Sequence, residues 1–239
     1  MKITEINDSN YRINRCHLRW EIALHLCLAM IILLLVGCTP TLYSVNMRYV
    51  HADGDRKVET VDHPYTITVA TFEDLRKVND NIEIGRVIKS NGQTIPVLPK
   101  FVKPSQAVTR PFKEYFQQAG YKVLAENPIW NLEEASIRKE WGDIIVGGSI
   151  DDLDVICIES LTSKKYKAKV KLTILFADTK SGKIFHTVTI ESSAFLDHVL
   201  FSEEYLERQI NIALSAAIDK ITGDMKIADI LRAAAGRQP

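Results

Sequence analysis

Neither sign of charge is in excess: 30 lysines and arginines stand against 30 aspartates and glutamates in 239 residues. A chain without net charge has no long-range pull on a polyanion, which argues against nucleic acid as a partner. Cysteine is scarce and badly placed for a framework. Cys16, Cys27 and Cys38 crowd the first 38 residues and Cys157 stands alone, with no CxxC or metal-ligand spacing. The eleven glycines form no GxGxxG or GxxxxGKS/T pattern, so no phosphate-cradling loop is written in the chain. The pair Gly147-Gly148 reads instead as room for a bulge or a close crossing. The histidine pairs His51 with His63 and His186 with His198 lack the short spacing and carboxylate company of a metal site. No nucleophile stands beside a base, and the chain reads as a non-enzyme without a cofactor. The longest apolar run, Ile22 to Val36, is fifteen residues broken only by His25. A membrane-spanning helix needs about 20.

That run is nevertheless the most informative stretch. It follows Lys2, Arg12, Arg15 and Arg19, a weakly basic flank, and ends in Leu35-Val36-Gly37-Cys38. A basic flank, a short apolar core and a small residue before the cut make a secretion signal. The ending resembles the lipobox of bacterial lipoproteins. The resemblance implies recognition of Leu35, Val36 and Gly37 by a signal peptidase, which cuts before Cys38. Cys38 then carries a diacylglyceryl thioether and an amide-linked acyl chain. The residue types fit this chemistry: Gly37 lets the backbone enter a cleft, and only cysteine offers an alkylatable thiolate. Several acyl chains, at roughly 0.8 kcal/mol per buried CH₂, hold a protein where one would exchange. The alternative is a signal-anchor helix that stays uncleaved. Residue 39 is Thr rather than Asp. By resemblance to Gram-negative lipoproteins, this implies the periplasm-facing leaflet of the outer membrane; in a Gram-positive host the protein would sit on the outer face of the single membrane.

Processing would leave 202 residues with 26 basic against 27 acidic side chains and one thiol besides the lipidated one. Without an intramolecular disulfide in an oxidising compartment, a core must hold the fold. The expected organisation is a signal peptide over 1–37, then a lipidated tether over 38–65 whose alternating piece Tyr43 to Val50 is able to donate an edge strand. An α/β body over 66–222 and a tail helix over 223–239 follow.

Within the body, Thr66 to Phe72 is rich in β-branched residues and reads as a central strand. The following Glu73, Asp74 and Arg76 read as a charged loop. Glu83 to Lys89 and Gln93 to Leu98 form two short strands around Asn91-Gly92, a tight-turn signal. Pro104 to Ala119 places Val108, Phe112, Tyr115, Phe116 and Ala119 on one helical face, with Ser105 as a cap and Gly120 as a stop. Pro111 predicts either a start near Thr109 or a kink. Tyr121 to Ala125 reads as a strand and Leu132 to Glu140 as a short helix or helical turn. Ile144 to Ser160 is a long strand, with Leu153, Val155 and Cys157 on one parity and Ile150, Ile156 and Ile158 on the other. Tyr166 to Asp178 alternates strictly, and Ile184 to Ser192 follows after a Thr179–Lys183 turn, with Ile184, His186, Val188 and Ile190 on one face. Ser202 to Ile221 is the clearest helix, capped by Ser202. The fold class is therefore α+β: one domain, a mixed or antiparallel sheet packed against two main helices.

Few residues invite chemistry. Lys167, Lys169 and Lys171 line one face of the hairpin, either as a solvated surface or as a site for acidic headgroups or another anionic partner. Asp152, Asp154 and His186 are the residues a hydrolase would use if the fold brought them together. Cys157 sits in an apolar strand with no feature to lower its pKa and reads as a core cysteine.

The succession ITVATFEDLR, IGRVI, PSQAVTRPFKEYFQQAGYKVL, WGDIIVGGSIDDLDV, YKAKVKLTILFADTKSGKIF and SEEYLERQINIALSAAIDKI resembles the YajG-like and related uncharacterised periplasmic lipoproteins. It is more distantly similar to α/β domains of envelope-assembly lipoproteins such as penicillin-binding-protein activators. The resemblance covers residues 66–222 and implies a lipid-anchored, non-catalytic domain that binds or scaffolds an envelope protein, glycan or lipid. The alternative is an accessory subunit of an envelope transport, secretion or appendage-assembly complex, with a hydrolase a minor third.

Overall fold

A computed structural model of the chain describes residues 42–50, 65–78 and 82–224, together with His25. Cys38, its recognition residues and all but the first two residues of the expected tail helix lie outside these. No helix among the described residues is long and apolar enough to cross a membrane.

The strands are β1 (Tyr43–Val45), β2 (Thr66–Val69), β3 (Glu73–Asp74), β4 (Gly85–Ile88), β5 (Thr94–Pro99), β6 (Lys122–Val123), β7 (Ile144–Glu159), β8 (Lys164–Asp178) and β9 (Lys183–His198). The helices are α1 (Pro104–Gln118) and α2 (Glu203–Asp219), the latter continued by a π turn, Lys220–Asp224. All nine strands form one mixed sheet organised by β7. Along one edge β7 pairs in parallel with β2, then β3, then β4, laid end to end; along the other it pairs antiparallel with β8 over its whole length. β9 pairs with β8 and closes that side as a sixteen-residue edge strand. The sequence expectation of an α+β fold with a mixed sheet and two main helices holds.

Both helices cover one face. Val108, Phe112 and Phe116 of α1 and Leu206, Ile210 and Leu214 of α2 join Leu153, Val155, Val170 and Leu172 in one buried cluster. The opposite face is covered at one end only, where Trp130 packs on Ala70, Ile145, Leu175 and Ala177. The Trp130 roof accounts for Gly147, and Phe72 in the main core on the other face accounts for Gly148. A Cβ at Gly147 would lie 2.6 Å from Trp130 Cε3, and one at Gly148 would lie 2.6 Å from Phe72 Cε1 and meet the Thr173 carbonyl.

Several local expectations change. α1 continues through Pro111, starting at Pro104 with Lys103 as its cap position, so Ser105 lies inside the helix. Pro104 suits that start, because its missing N–H has no partner there anyway. A bulge at Asp151 shifts the β7 register, and Ile150 joins Leu153 in the main core rather than facing away from it. A second irregularity beside Phe176 puts Ile184 under the Trp130 roof, while Phe185 and His186 each pack on Phe176. Glu73-Asp74 is a strand rather than a charged loop. Arg76, 6% exposed, makes a bidentate pair with Asp74 at 2.7 and 2.8 Å and donates to the carbonyls of Glu83 and Leu153. Leu132 to Glu140 is reduced to two 3-10 turns, Glu134–Ser136 and Lys139–Trp141. Ser202 caps α2 as expected, its hydroxyl accepting from the Glu204 N–H at 3.1 Å.

Candidate functional site

Within the stretch read as a tether, the segment Ser44 to Val50 is fastened along α2. The N–H groups of Ser44, Asn46, Arg48 and Val50 donate in turn to Glu203 Oε2, Glu207 Oε2, Asn211 Oδ1 and Ser215 Oγ, at 3.2, 3.0, 2.9 and 2.8 Å. The match is geometric. Two residues of extended chain advance about 6.6 Å, and four residues of helix advance about 6.0 Å. Side chains at every fourth helical position therefore meet every second strand N–H over the whole segment. Asn211 closes the ladder from both sides by also donating to the Asn46 carbonyl at 3.1 Å. The other edge of β1 pairs with β5, and Val45 and Met47 enter the core. The signal for this joint was present in α2 as the polar series Glu203, Glu207, Asn211, Ser215 at intervals of four. Beside a strong apolar stripe it reads as an ordinary solvated face.

The joint sits beside an aromatic cluster. Tyr43 packs on Phe201 with ring centroids 4.8 Å apart, and Phe201 stacks on Tyr166 at 6.3 Å. Lys89 Nζ lies 4.7 Å from the Phe201 ring centre and pairs with Glu159 at 2.8 Å. Burial pushes the Tyr166 phenol up to about 12, against the pull of the Ser202 N–H, so its hydroxyl stays neutral. It donates to the Leu200 carbonyl at 3.2 Å and accepts from the Ser202 N–H at 2.9 Å. His198 accepts the Leu200 N–H at Nδ1, and its Nε2 lies 3.2 Å from the Tyr205 hydroxyl. The β9–α2 loop is thus pinned at its backbone.

The residues singled out from sequence fall elsewhere. Lys167, Lys169 and Lys171 do share the sheet face away from the helices, opposite Ile156, Asp154 and Asp152 of β7. Lys169 is held between Asp152 and Glu191, 3.3 Å from each, and these hydrogen bonds raise its pKa. Asp154 is pushed up by loss of solvent, partly offset by Arg86 at 3.7 Å. The surface is therefore interleaved in charge. Asp152 and Asp154 lie on this face, whereas His186 pairs with Phe176 on the helix side, so the sheet stands between the three residues. Cys157 is fully buried, and desolvation pushes its thiol up to about 11.

No protein-family model and no curated protein matches the chain. Among solved structures, protein XCC0632 from Xanthomonas campestris, of the family model DUF330, is similar at 12% identity and a TM-score of 0.51, covering 81% of this chain and 99% of that one. Lipoprotein GNA1162 from Neisseria meningitidis is similar at 12% identity and a TM-score of 0.36, covering 66% and 98%. The PelC dodecamer from Paraburkholderia phytofirmans follows at 9% identity and 0.34, covering 63% and 85%. The fold thus resembles that of the DUF330 protein. Identity at this level speaks for fold alone, and the two likenesses below 0.5 support nothing further.

Proposed function

We propose that the protein is a cell-envelope lipoprotein, held by acyl chains on Cys38, whose body binds or scaffolds another envelope component without catalysing a reaction. One juxtaposition carries this reading. The lipobox-like Leu35-Val36-Gly37-Cys38 ends four residues before Leu42, where the chain enters a segment fastened along α2. A load passed along the chain from the anchor would meet the first of these bonds at Ser44. Thr39 directs the reading to the outer membrane in a Gram-negative host. Separation of Asp152 and Asp154 from His186 by the sheet favours a non-catalytic body over the hydrolase alternative. The test is the mass of the N-terminal peptide of protein purified from its own membranes. A peptide beginning at Cys38 and carrying the diacylglyceryl and acyl groups is expected; an unmodified Cys38, or a chain retaining residues 1–37, would sink the reading.

A second reading, an accessory subunit of an envelope complex, is favoured by β9. Its sixteen residues pair with β8 alone among the described strands, leaving one edge open. An open edge is a template for strand addition. The adjoining face of Lys167, Lys169 and Lys171, alternating with Asp152, Asp154 and Glu191, suits a protein neighbour better than a polyanion. A stoichiometric partner or a stable oligomer in mild detergent is the expected result; a monomer that neither cross-links through β9 nor retains a partner would count against it.

A further inference from the structure

The end of the sheet nearest the tether exposes apolar side chains that the fold does not use. Leu161 in the β7–β8 turn is 95% exposed, and Val199 and Leu200 in the β9–α2 loop are 67% and 68% exposed. Phe195, 60% exposed, stands three residues back along β9. These are not loose ends. Tyr166 and His198 hold the Leu200 backbone, and Ser160 and Ser163 close the β7–β8 turn with mutual hydrogen bonds. Exposed apolar residues presented by pinned loops at one place mark a contact surface.

We propose that this end of the sheet rests in the headgroup layer of the phospholipid bilayer that holds Cys38. The inference rests on the anchoring reading above and adds an orientation to it. Chain length supplies the first argument. Cys38 precedes Leu42 by four residues, which span at most about 14 Å. β1 starts at this end and runs away from it. Tyr43 is level, through Val97 and Gly85, with Val155 of β7, and Glu159 lies four residues farther towards the turn. Four strand residues advance about 13 Å, so the turn projects about as far as the leash can reach. A body on so short a leash is held with some surface against the membrane, and this end is the one the leash leaves from. Side-chain chemistry supplies the second argument. Lys164, Lys165 and Lys167 flank the apolar tip; of the acids at this end, Glu159 is taken by Lys89, Asp197 lies opposite Lys165, Glu203 accepts the Ser44 N–H and Glu204 pairs with Arg208. Cations of this kind favour anionic headgroups. Tyr43 and Tyr205, amphipathic rings of the type that settle at a membrane interface, stand behind them.

The test uses the mature acylated chain in vesicles of phosphatidylethanolamine and phosphatidylglycerol, with Leu161→Cys or Val199→Cys labelled by an environment-sensitive fluorophore. Buried Cys157 does not compete for label. Ser181→Cys, in the turn at the opposite end of the β8–β9 hairpin, is the reference. Interfacial segments sit about 5–10 Å deep, so nitroxide lipids should quench the labels at 161 and 199 at least about twofold more than the label at 181. Intact mass of the same sample reports the lipid on Cys38. Acylated protein with equal quenching at all three positions overturns this orientation alone and leaves the tip to a protein neighbour. Protein without lipid on Cys38 overturns the anchoring reading and this inference together.

Discussion

Asn211→Ala should loosen the joint between the segment Ser44 to Val50 and α2. The side chain is 6% exposed, accepts the Arg48 N–H at 2.9 Å and donates to the Asn46 carbonyl at 3.1 Å. Truncation removes both bonds and leaves two part-buried backbone groups to water. A net hydrogen bond is worth about 1 kcal/mol, so the loss should be about 1–3 kcal/mol. With a urea dependence of about 2 kcal/mol per molar, the unfolding midpoint should fall by about 0.5–1.5 M. If the segment detaches locally, the same loss appears as faster tryptic cleavage after Arg48, by about tenfold or more. Asn211→Asp keeps the acceptor and loses the donor, and should fall between. Ile212→Ala, on the exposed neighbouring position, should cost less than about 1 kcal/mol. If Asn211→Ala moves neither the urea midpoint nor the cleavage rate, the ladder does not fasten the segment and the argument fails.

Arg76→Met strands Asp74 and two carbonyls in the interior and should cost about 3–5 kcal/mol, read as a lowered urea midpoint. Gly148→Ala drives a methyl into Phe72 and the Thr173 backbone and should destabilise by about 1–3 kcal/mol or more in the same assay. Cys157, buried with its thiol near 11, should resist iodoacetamide at pH 8 in the native protein and react fully in urea; rapid native labelling would contradict its place in the core. Asp143 is held below the ordinary carboxylate value of 3.8, first by the Thr66 N–H and, against partial burial, by Lys180. Its contribution is therefore complete above the unfolded pKa and is lost as pH falls through the lower folded value. Asp143→Asn should flatten the acid limb of stability against pH, and an unchanged limb would refute the assignment.

The parts of this fold legible in the sequence were those with a period and a cap. Strict alternation from Tyr166 to Phe176 identified β8, and Ser202 with the apolar stripe behind it identified α2. What escaped were features that depend on a partner distant in the chain. The bulge at Asp151 reverses the parity of Ile150, and no local pattern announces it because both neighbouring residues are acceptable on either face. Arg76 looks like a surface charge until the Glu83 and Leu153 carbonyls are placed around it. The joint escaped for the same reason: Glu203, Glu207, Asn211 and Ser215 make a normal polar face until Ser44 to Val50 lies against it. The lysine trio was visible as a line of like charge, but the carboxylates interleaved with it come from β7 and β9. The joint was not legible because it spans about 160 residues of chain, whereas the lipobox-like motif is a local pattern that lies outside the described residues.

The central claim is that a lipid on Cys38 holds a body whose first tie to α2, at Ser44, comes six residues later. It is tested most directly by the intact mass of the protein extracted from its own membranes, with Cys38→Ala measured alongside. The account predicts a parent chain that begins at Cys38 with a diacylglyceryl thioether and an N-acyl group, and a variant that folds without either. A parent without the lipid increment, or a Cys38→Ala chain that still carries it, would contradict the account.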